Sequence, residues 1–102
     1  MYVAICFERD DNKNRSNRAK HGISFDTAVS VFADPASIMR PDLEIAGEQR
    51  WQTIGRLDRG LVIVVVAHTL RPGEDDSVIR VISARKATPR ERRLYEENEG
   101  CN

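Results

Sequence analysis

The stretch from Leu61 to Leu70 constrains the fold more than any other part of this 102-residue sequence. Its residues are apolar at consecutive positions up to Ala67, so both faces of an extended segment would be apolar. A strand of this kind belongs in the middle of a sheet that is covered on both sides. The run is far shorter than the ~20 apolar residues that cross a bilayer as a helix, so it does not predict a membrane span.

Other segments of the chain have the composition of strands. Most of them are rich in β-branched and aromatic residues, and turn-forming residues separate them. The predicted strands are Tyr2–Phe7, Ser37–Arg40, Arg50–Arg56 and Val78–Arg85, with turns at Leu57–Gly60 and Pro72–Asp76 and a loop at Leu43–Gln49. Because the later connections are short, the pattern favours antiparallel pairing.

A first helix is predicted directly after the first strand. Asp10 or Asp11 can cap its N-terminus, and the helix is expected to continue to about Lys20. Gly22 is a typical residue just beyond a helix end.

Two more helices carry start signals of their own. Ser24 opens the second, and Asp34-Pro35 ends it because the residue before proline avoids the helical region. Apolar residues recur on one face of this helix, at Phe25, Ala28, Val29 and Phe32. The third begins with the capping box Thr88-Pro89-Arg90-Glu91 and is predicted to reach about Asn98.

The predicted element order is β-α-α-β-β-β-β-α. This order indicates one α+β domain over residues 1–102, in which the last few residues form a tail. We expect a small antiparallel sheet with the helices on one of its faces.

Charges are separated along the chain, although its 16 basic and 16 acidic residues cancel. Arg9–Lys20 contains five basic and two acidic residues, and Arg80–Arg93 contains six basic residues and one acidic residue. Such segregation can give a positive face that binds a polyanion or an acidic partner. The alternative is a solvated surface with internal ion pairs.

The two cysteines, Cys6 and Cys101, lie near opposite ends of the chain and have no zinc-ligand spacing. Cys6 is expected to act as a small buried residue. Residues Met1–Phe7 lack the basic start and cleavage site of a secretory signal. We therefore expect a cytoplasmic protein that has no metal, no other cofactor and no membrane partner.

The chain contains no phosphate-binding glycine-rich loop, no His-Glu-x-x-His and no Gly-x-Ser-x-Gly motif. Its remaining chemistry is basic and aromatic. Such residues can stabilise a pentavalent phosphate and position a ribose hydroxyl without a metal. Both histidines, His21 and His68, can equally fill structural positions.

Several short motifs occur in a specific order. They are Asp10-x-x-Lys13-x-x-x-Asn17-x-x-Lys20-His21-Gly22-Ile23-Ser24-Phe25, Ala28-x-x-Val31-Phe32-x-Asp34-Pro35, Glu48-x-Arg50-Trp51-x-x-Ile54-Gly55, Arg80-Val81-Ile82-Ser83-Ala84-Arg85-Lys86-Ala87-Thr88 and Glu91-Arg92-x-x-Tyr95. Together they resemble the BrnT toxin family over residues 5–96. The chain differs from the family in having Arg9 where tryptophan is usual, and in a longer turn at Pro72–Asp76.

The resemblance implies a RelE-like fold and a ribonuclease toxin of a type II toxin–antitoxin pair. RNA would be the substrate, and its cleavage would block translation. The partner would be a small DNA-binding, BrnA-like antitoxin that neutralises the toxin in a hetero-oligomer. Operator DNA would be contacted only through this antitoxin.

We expect cleavage by attack of a ribose 2′-hydroxyl on the adjacent phosphate, which needs a base, charge stabilisation and an acid. The candidates for charge stabilisation are Arg80, Arg85 and Lys20, with surface ion pairs as their alternative role. Strand alternation puts Arg80 and Arg85 on opposite faces unless a bulge intervenes. His21 is the candidate for proton transfer, although a lysine or tyrosine could serve.

Further residues are predicted to bind the substrate, namely Lys13, Trp51, Arg56, Arg92 and Tyr95. Lys13 shares a helix face with Lys20 and His21. Trp51 offers a stacking platform, although a single tryptophan is more often part of a core. Tyr95 shares a helix face with Arg92, and packing on the sheet is its alternative role.

Two other functions remain open. The chain could bind nucleic acid or an antitoxin without catalysis, or it could be an inactive relative that keeps its antitoxin contacts. A neighbouring reading frame for a small DNA-binding protein would favour the toxin over a stand-alone binding domain.

Overall fold

The central strand lies inside a five-stranded sheet of order β1-β5-β4-β3-β2 in the computed structural model, which describes residues 4–57, 60–72 and 76–100. The strands are β1 (Ala4–Glu8), β2 (Ile38–Ile45), β3 (Glu48–Arg56), β4 (Ile63–Pro72) and β5 (Asp76–Lys86). The helices are α1 (Asp11–His21), α2 (Phe25–Ala28), which a 3-10 turn continues over Val29–Ala33, and α3 (Pro89–Gly100). The predicted α+β class and element order are confirmed.

The sheet is mixed, because β1 pairs with β5 in parallel while the other three pairings are antiparallel. A short turn forces antiparallel pairing only between strands that are consecutive in the sequence. Strand β1 is separated from β5 by most of the chain, so its direction is set by packing and not by a hairpin.

Strand β4 is covered on both faces, as its apolar run predicts. On one face, which we call the α2 face, Val64 and Val66 pack in a buried cluster with Phe25 of α2. On the other, the α3 face, Val65 packs with Tyr95 of α3. The expectation that all helices lie on one face is therefore wrong, because a strand that is apolar on both faces needs cover on each side.

Strands β2 and β3 form a hairpin where a loop was expected at Leu43–Gln49. The two-residue turn is Ala46-Gly47, with φ of 52° and 81°. Positive φ at both positions is typical of the tight turns that join antiparallel strands. Polar side chains on the exposed edge strand β2 produce the loop-like composition of this segment.

Two β-bulges interrupt the sheet. In β2, Asp42 and Leu43 together lie opposite the single residue Arg50 of β3. In β5, Ile82 is an extra residue, because Ser83 pairs with Ala67 while Val81 pairs with His68. A bulge resets the alternation of side chains along its strand.

The ends of α1 match the sequence signals. The Asp10 carboxylate accepts from the backbone N–H groups of Asn12 and Lys13, at 2.8 and 3.2 Å. Gly22 ends the helix with a φ of 73°. Within the helix, the buried Asn17 side chain bonds both the N–H (3.0 Å) and the C=O (2.9 Å) of Ala84. Asn17 thus occupies the edge of β5 as a paired strand would, and it fixes α1 beside that edge.

The capping box of α3 is present. The Thr88 hydroxyl accepts from the Glu91 N–H at 3.2 Å, and the Glu91 carboxylate accepts from the Thr88 N–H at 2.9 Å. One cysteine expectation is wrong, since the side chain of Cys6 is exposed. Cys101 and most of the Pro72–Asp76 turn lie outside the described residues.

Candidate functional site

A group of basic residues lies on the part of the α3 face that α3 leaves uncovered. The register shows which side chains share this face. On β4, alternate residues Val65, Ala67 and Thr69 pair with Arg85, Ser83 and Arg80 of β5. Since Val65 packs on the α3 side, its alternate neighbours and their partners face the same way. The arginines on this surface, which we call the arginine face, are Arg40, Arg50, Arg71, Arg80 and Arg85.

The bulge at Ile82 brings Arg80 and Arg85 together on this face. Without it, the five-residue separation along β5 would put them on opposite sides. The extra residue restores the phase, so that Arg80 lies across from Thr69 and Arg85 across from Val65. The two catalytic candidates can therefore act on one ligand.

A shallow depression between α1 and β5 adjoins the arginine face. It is lined by Lys13, Ser16, Asn17, Lys20, His21, Ile82 and Ser83. The spacing of Lys13 and Lys20 puts them on the side of α1 that Asn17 turns toward β5. Ser83 belongs to both surfaces, since it lines the depression and lies between Arg80 and Arg85 along the strand. The depression thus brings together the sequence-predicted residues Lys13, Lys20 and His21, and it meets the arginine face at Ser83.

Glu91 organises one side of the arginine face from α3. Its carboxylate accepts two hydrogen bonds from Arg85, at 2.7 and 2.9 Å, and one from Arg40 at 2.7 Å. The Arg40 Nε also donates to Gln52 at 2.9 Å. The hydrogen bonds from Arg85 lower the pKa of Glu91 to about 2, against the effect of its burial. Glu91 is therefore ionised at neutral pH and holds Arg85 and Arg40 on the sheet.

The opposite side of the face is less neutralised. Glu8, Arg9, Arg71 and Arg80 line an open depression there. Arg71 pairs with Glu8 at 2.6 Å, and Arg9 pairs with Asp26 and Asp11. Arg80 is exposed and has no carboxylate within ion-pair distance among the residues that the structure describes. Its charge is available to a bound anion.

Two predicted substrate residues lie at the far end of the α3 face. Tyr95 is fully buried, and its hydroxyl donates to Asp34 at 2.6 Å. Burial and this hydrogen bond raise the pKa of Tyr95 to about 12. Arg56 pairs with Glu99 and lies 5.5 Å from the centre of the Tyr95 ring. These contacts hold α3 on the sheet, and Arg92 is exposed on the same helix.

Trp51 and His68 lie on the α2 face, away from the arginines. They are cross-strand partners, and His68 is buried between Thr53 and the Phe32 ring. Burial lowers the pKa of His68, which favours the neutral form of its ring. The sequence left open either a chemical or a structural role for His68, and this buried position fits the structural role. A base stacked on Trp51 would lie on the other side of the sheet from Arg80.

Arg40 and Arg50 of the arginine face were not among the predicted site residues. Strand alternation alone could have placed Arg50 on this face. It lies two residues before Gln52, so both side chains point the same way, and the Gln52 side chain contacts Arg40. Arg40 stood at the end of a short predicted strand before a supposed loop. Only the hairpin that replaces this loop aligns Arg40 with Gln52.

Within the described parts of the chain, no cluster of three or more His, Cys, Asp or Glu side chains could hold a metal ion. None of the described helices is long and apolar enough to cross a membrane.

The chain is similar to a known protein family. The family model described as ribonuclease toxin, BrnT, of type II toxin-antitoxin system matches residues 10–91, which include both the α1 depression and β5. A search of curated proteins finds no match.

Proposed function

Because the chain belongs to the BrnT family of ribonuclease toxins of type II toxin–antitoxin systems, we propose that it cleaves RNA without a metal ion at the arginine face and the adjoining α1 depression. One observation carries this proposal. The bulge at Ile82 aligns Arg80, Ser83 and Arg85 on one face, and Ser83 also lines the depression that contains Lys20 and His21. Two adjoining surfaces then offer cations and an imidazole, which are groups that phosphodiester cleavage can use.

In the proposed reaction, the ribose 2′-oxygen attacks the adjacent phosphorus and the bond to the 5′-oxygen breaks. Arg80, Arg85 and Lys20 stabilise the added negative charge of the phosphorane. His21 transfers a proton at the 2′-hydroxyl or at the leaving oxygen. The products are a 2′,3′-cyclic phosphate and a 5′-hydroxyl end.

Replacement of His21 and Lys20 separates catalysis from helix capping. Cations at a helix C-terminus can simply offset its dipole, which contributes ~0.3–1 kcal/mol. If both residues act on RNA, Lys20→Met and His21→Gln should each lower the cleavage rate by about 10²-fold with little change in melting temperature. If His21 only caps the helix, His21→Gln should instead lower the melting temperature a little and leave the cleavage rate unchanged. That result would remove His21 from the chemistry.

We further propose that the natural partner is a co-encoded, DNA-binding antitoxin of the BrnA type, which binds this toxin in the cytoplasm and alone contacts operator DNA. The positive arginine face suits an acidic surface on that partner. The edge strand β2 also exposes apolar side chains, with Leu43 at 69% and Ile45 at 45%. Exposed apolar groups on an edge strand are typical of protein-binding surfaces.

Co-expression tests the toxin and its partner together. The chain expressed alone should stop growth and fragment cellular RNA, and co-expression of the neighbouring frame should restore growth and co-purify the pair. Growth arrest with intact RNA would instead support binding without catalysis. If the two proteins elute independently at micromolar concentration, the partner assignment is wrong.

A further inference from the structure

One row of side chains on the arginine face runs directly across three strands. The antiparallel register that pairs Trp51 with His68 brings Arg50 of β3 level with Thr69 of β4. Thr69 in turn pairs with Arg80 of β5. Adjacent strands are ~4.7–4.9 Å apart, so the backbones of Arg50 and Arg80 are about 10 Å apart on either side of Thr69. Each guanidinium needs to cover only about half of that distance to meet the other at one anion.

Arg50 has an unsatisfied polar group in this position. Its Nε atom is buried, and no acceptor among the described residues lies within hydrogen-bonding distance. The neighbouring arginines differ, since Arg40 and Arg85 share Glu91, and Arg71 has Glu8. A buried donor without an acceptor is rare in folded proteins, and a role in binding or catalysis is one of its explanations.

Both ends of this row lie beside a bulge. Asp42 and Leu43 oppose Arg50 on one side, and Ile82 follows shortly after Arg80 on the other. Bulges often re-aim side chains next to functional sites. The acidic groups near the row have other partners. Glu8 lies across from Arg80 in the strand register and pairs with Arg71, Asp42 accepts from Gln52, and Asp10 caps α1.

We infer that Arg50 and Arg80 together bind one phosphate of a single-stranded RNA above Thr69. This subsite rests on the proposed function and adds Arg50 to it as a substrate-binding residue. Arginine suits the task because its planar guanidinium can donate two parallel hydrogen bonds to a phosphate. If the Arg50 side chain turns toward this phosphate, its Nε, which is buried without a hydrogen-bond partner in the free protein, also gains an acceptor.

The test measures binding of a fluorescent RNA whose riboses are 2′-O-methylated, so that binding is separated from cleavage. Fluorescence anisotropy at several salt concentrations compares the wild type with Arg50→Ala, Arg80→Ala and the double variant. Arg93→Ala is the matched control, because Arg93 is exposed on α3, opposite in the helix to Glu91. If Arg50→Ala folds poorly, Arg50→Lys is the alternative variant, because lysine keeps the positive charge.

Arg50→Ala and Arg80→Ala should each weaken binding by about tenfold or more, because each removes hydrogen bonds to a charged group. Each should lower the slope of log affinity against log salt by about 0.7, which corresponds to one phosphate on a single strand. The double variant should lose little more than either single variant, since the two arginines share that phosphate. Arg50→Lys should recover only part of the affinity, and Arg93→Ala should change little.

The subsite is overturned if the wild type does not bind the RNA, or if Arg50→Ala behaves like Arg93→Ala. It is also overturned if the losses of Arg50→Ala and Arg80→Ala simply add, because separate phosphates would then be bound. A separate result would contradict the proposed function without affecting the subsite. If unmodified RNA is never cut while the Arg50 effect persists, catalysis is wrong and the subsite stands.

Discussion

Arg80→Ala is expected to lower the rate of RNA cleavage by ~10²–10³-fold and to leave the fold intact. Removal of one preorganised donor from a developing negative charge has an effect of this size. Arg80 is exposed and makes no ion pair with the described residues, so its loss should change the free energy of unfolding by less than about 0.5 kcal/mol. The measurement is single-turnover cleavage together with thermal unfolding, and Arg93→Ala is the control. Equal cleavage rates in Arg80→Ala and the wild type would place Arg80 outside the reaction.

Arg85 shows why the choice of residue matters for this prediction. Glu91 is 8% exposed and accepts two hydrogen bonds from Arg85. Arg85→Ala would leave that buried carboxylate with fewer donors, which costs about 1–3 kcal/mol. A loss of cleavage in Arg85→Ala would therefore mix catalysis with folding. Arg85→Ala combined with Glu91→Gln removes the unpaired charge. Because Glu91 also binds Arg40 and caps α3, the reference for this double variant is Glu91→Gln alone.

Local signals in the sequence were enough to predict most of the fold. Asp10, Gly22 and the Thr88–Glu91 capping box mark helix ends through contacts with their own neighbours, so their effect is visible in short segments. The apolar run of β4 predicted a central strand for the same reason. The β2–β3 hairpin was missed because Asp42, Glu44 and Glu48 on an exposed edge strand look like a loop.

The site was harder to predict because it depends on long-range register. Whether Arg80 and Arg85 share a face depends on one extra residue, Ile82, and no local signal identifies that bulge. Trp51 had the chemistry of a stacking residue, but strand phase puts it on the α2 face. Tyr95 had a usable hydroxyl, but tertiary packing buries it against Asp34.

Loss of the attacking hydroxyl is expected to have the largest effect of all. A 2′-deoxynucleotide placed immediately before the cleaved phosphate removes the oxygen that would attack the phosphorus. No other group on that nucleotide can replace it in this mechanism, so cleavage at that bond should disappear. Neighbouring cleavage sites that keep their 2′-hydroxyl groups should still be cut, and they provide an internal control.

The most direct test of metal-free RNA cleavage at the arginine face therefore uses purified chain, a short RNA and excess EDTA. We expect that the RNA is cut in EDTA, with 2′,3′-cyclic phosphate and 5′-hydroxyl ends, and that the single 2′-deoxy substitution protects its own bond. A metal-dependent hydrolase would behave differently, because its nucleophile is a metal-bound water. Cleavage that stops in EDTA and returns with magnesium, or that continues at the 2′-deoxy position, would contradict metal-free attack by the 2′-hydroxyl.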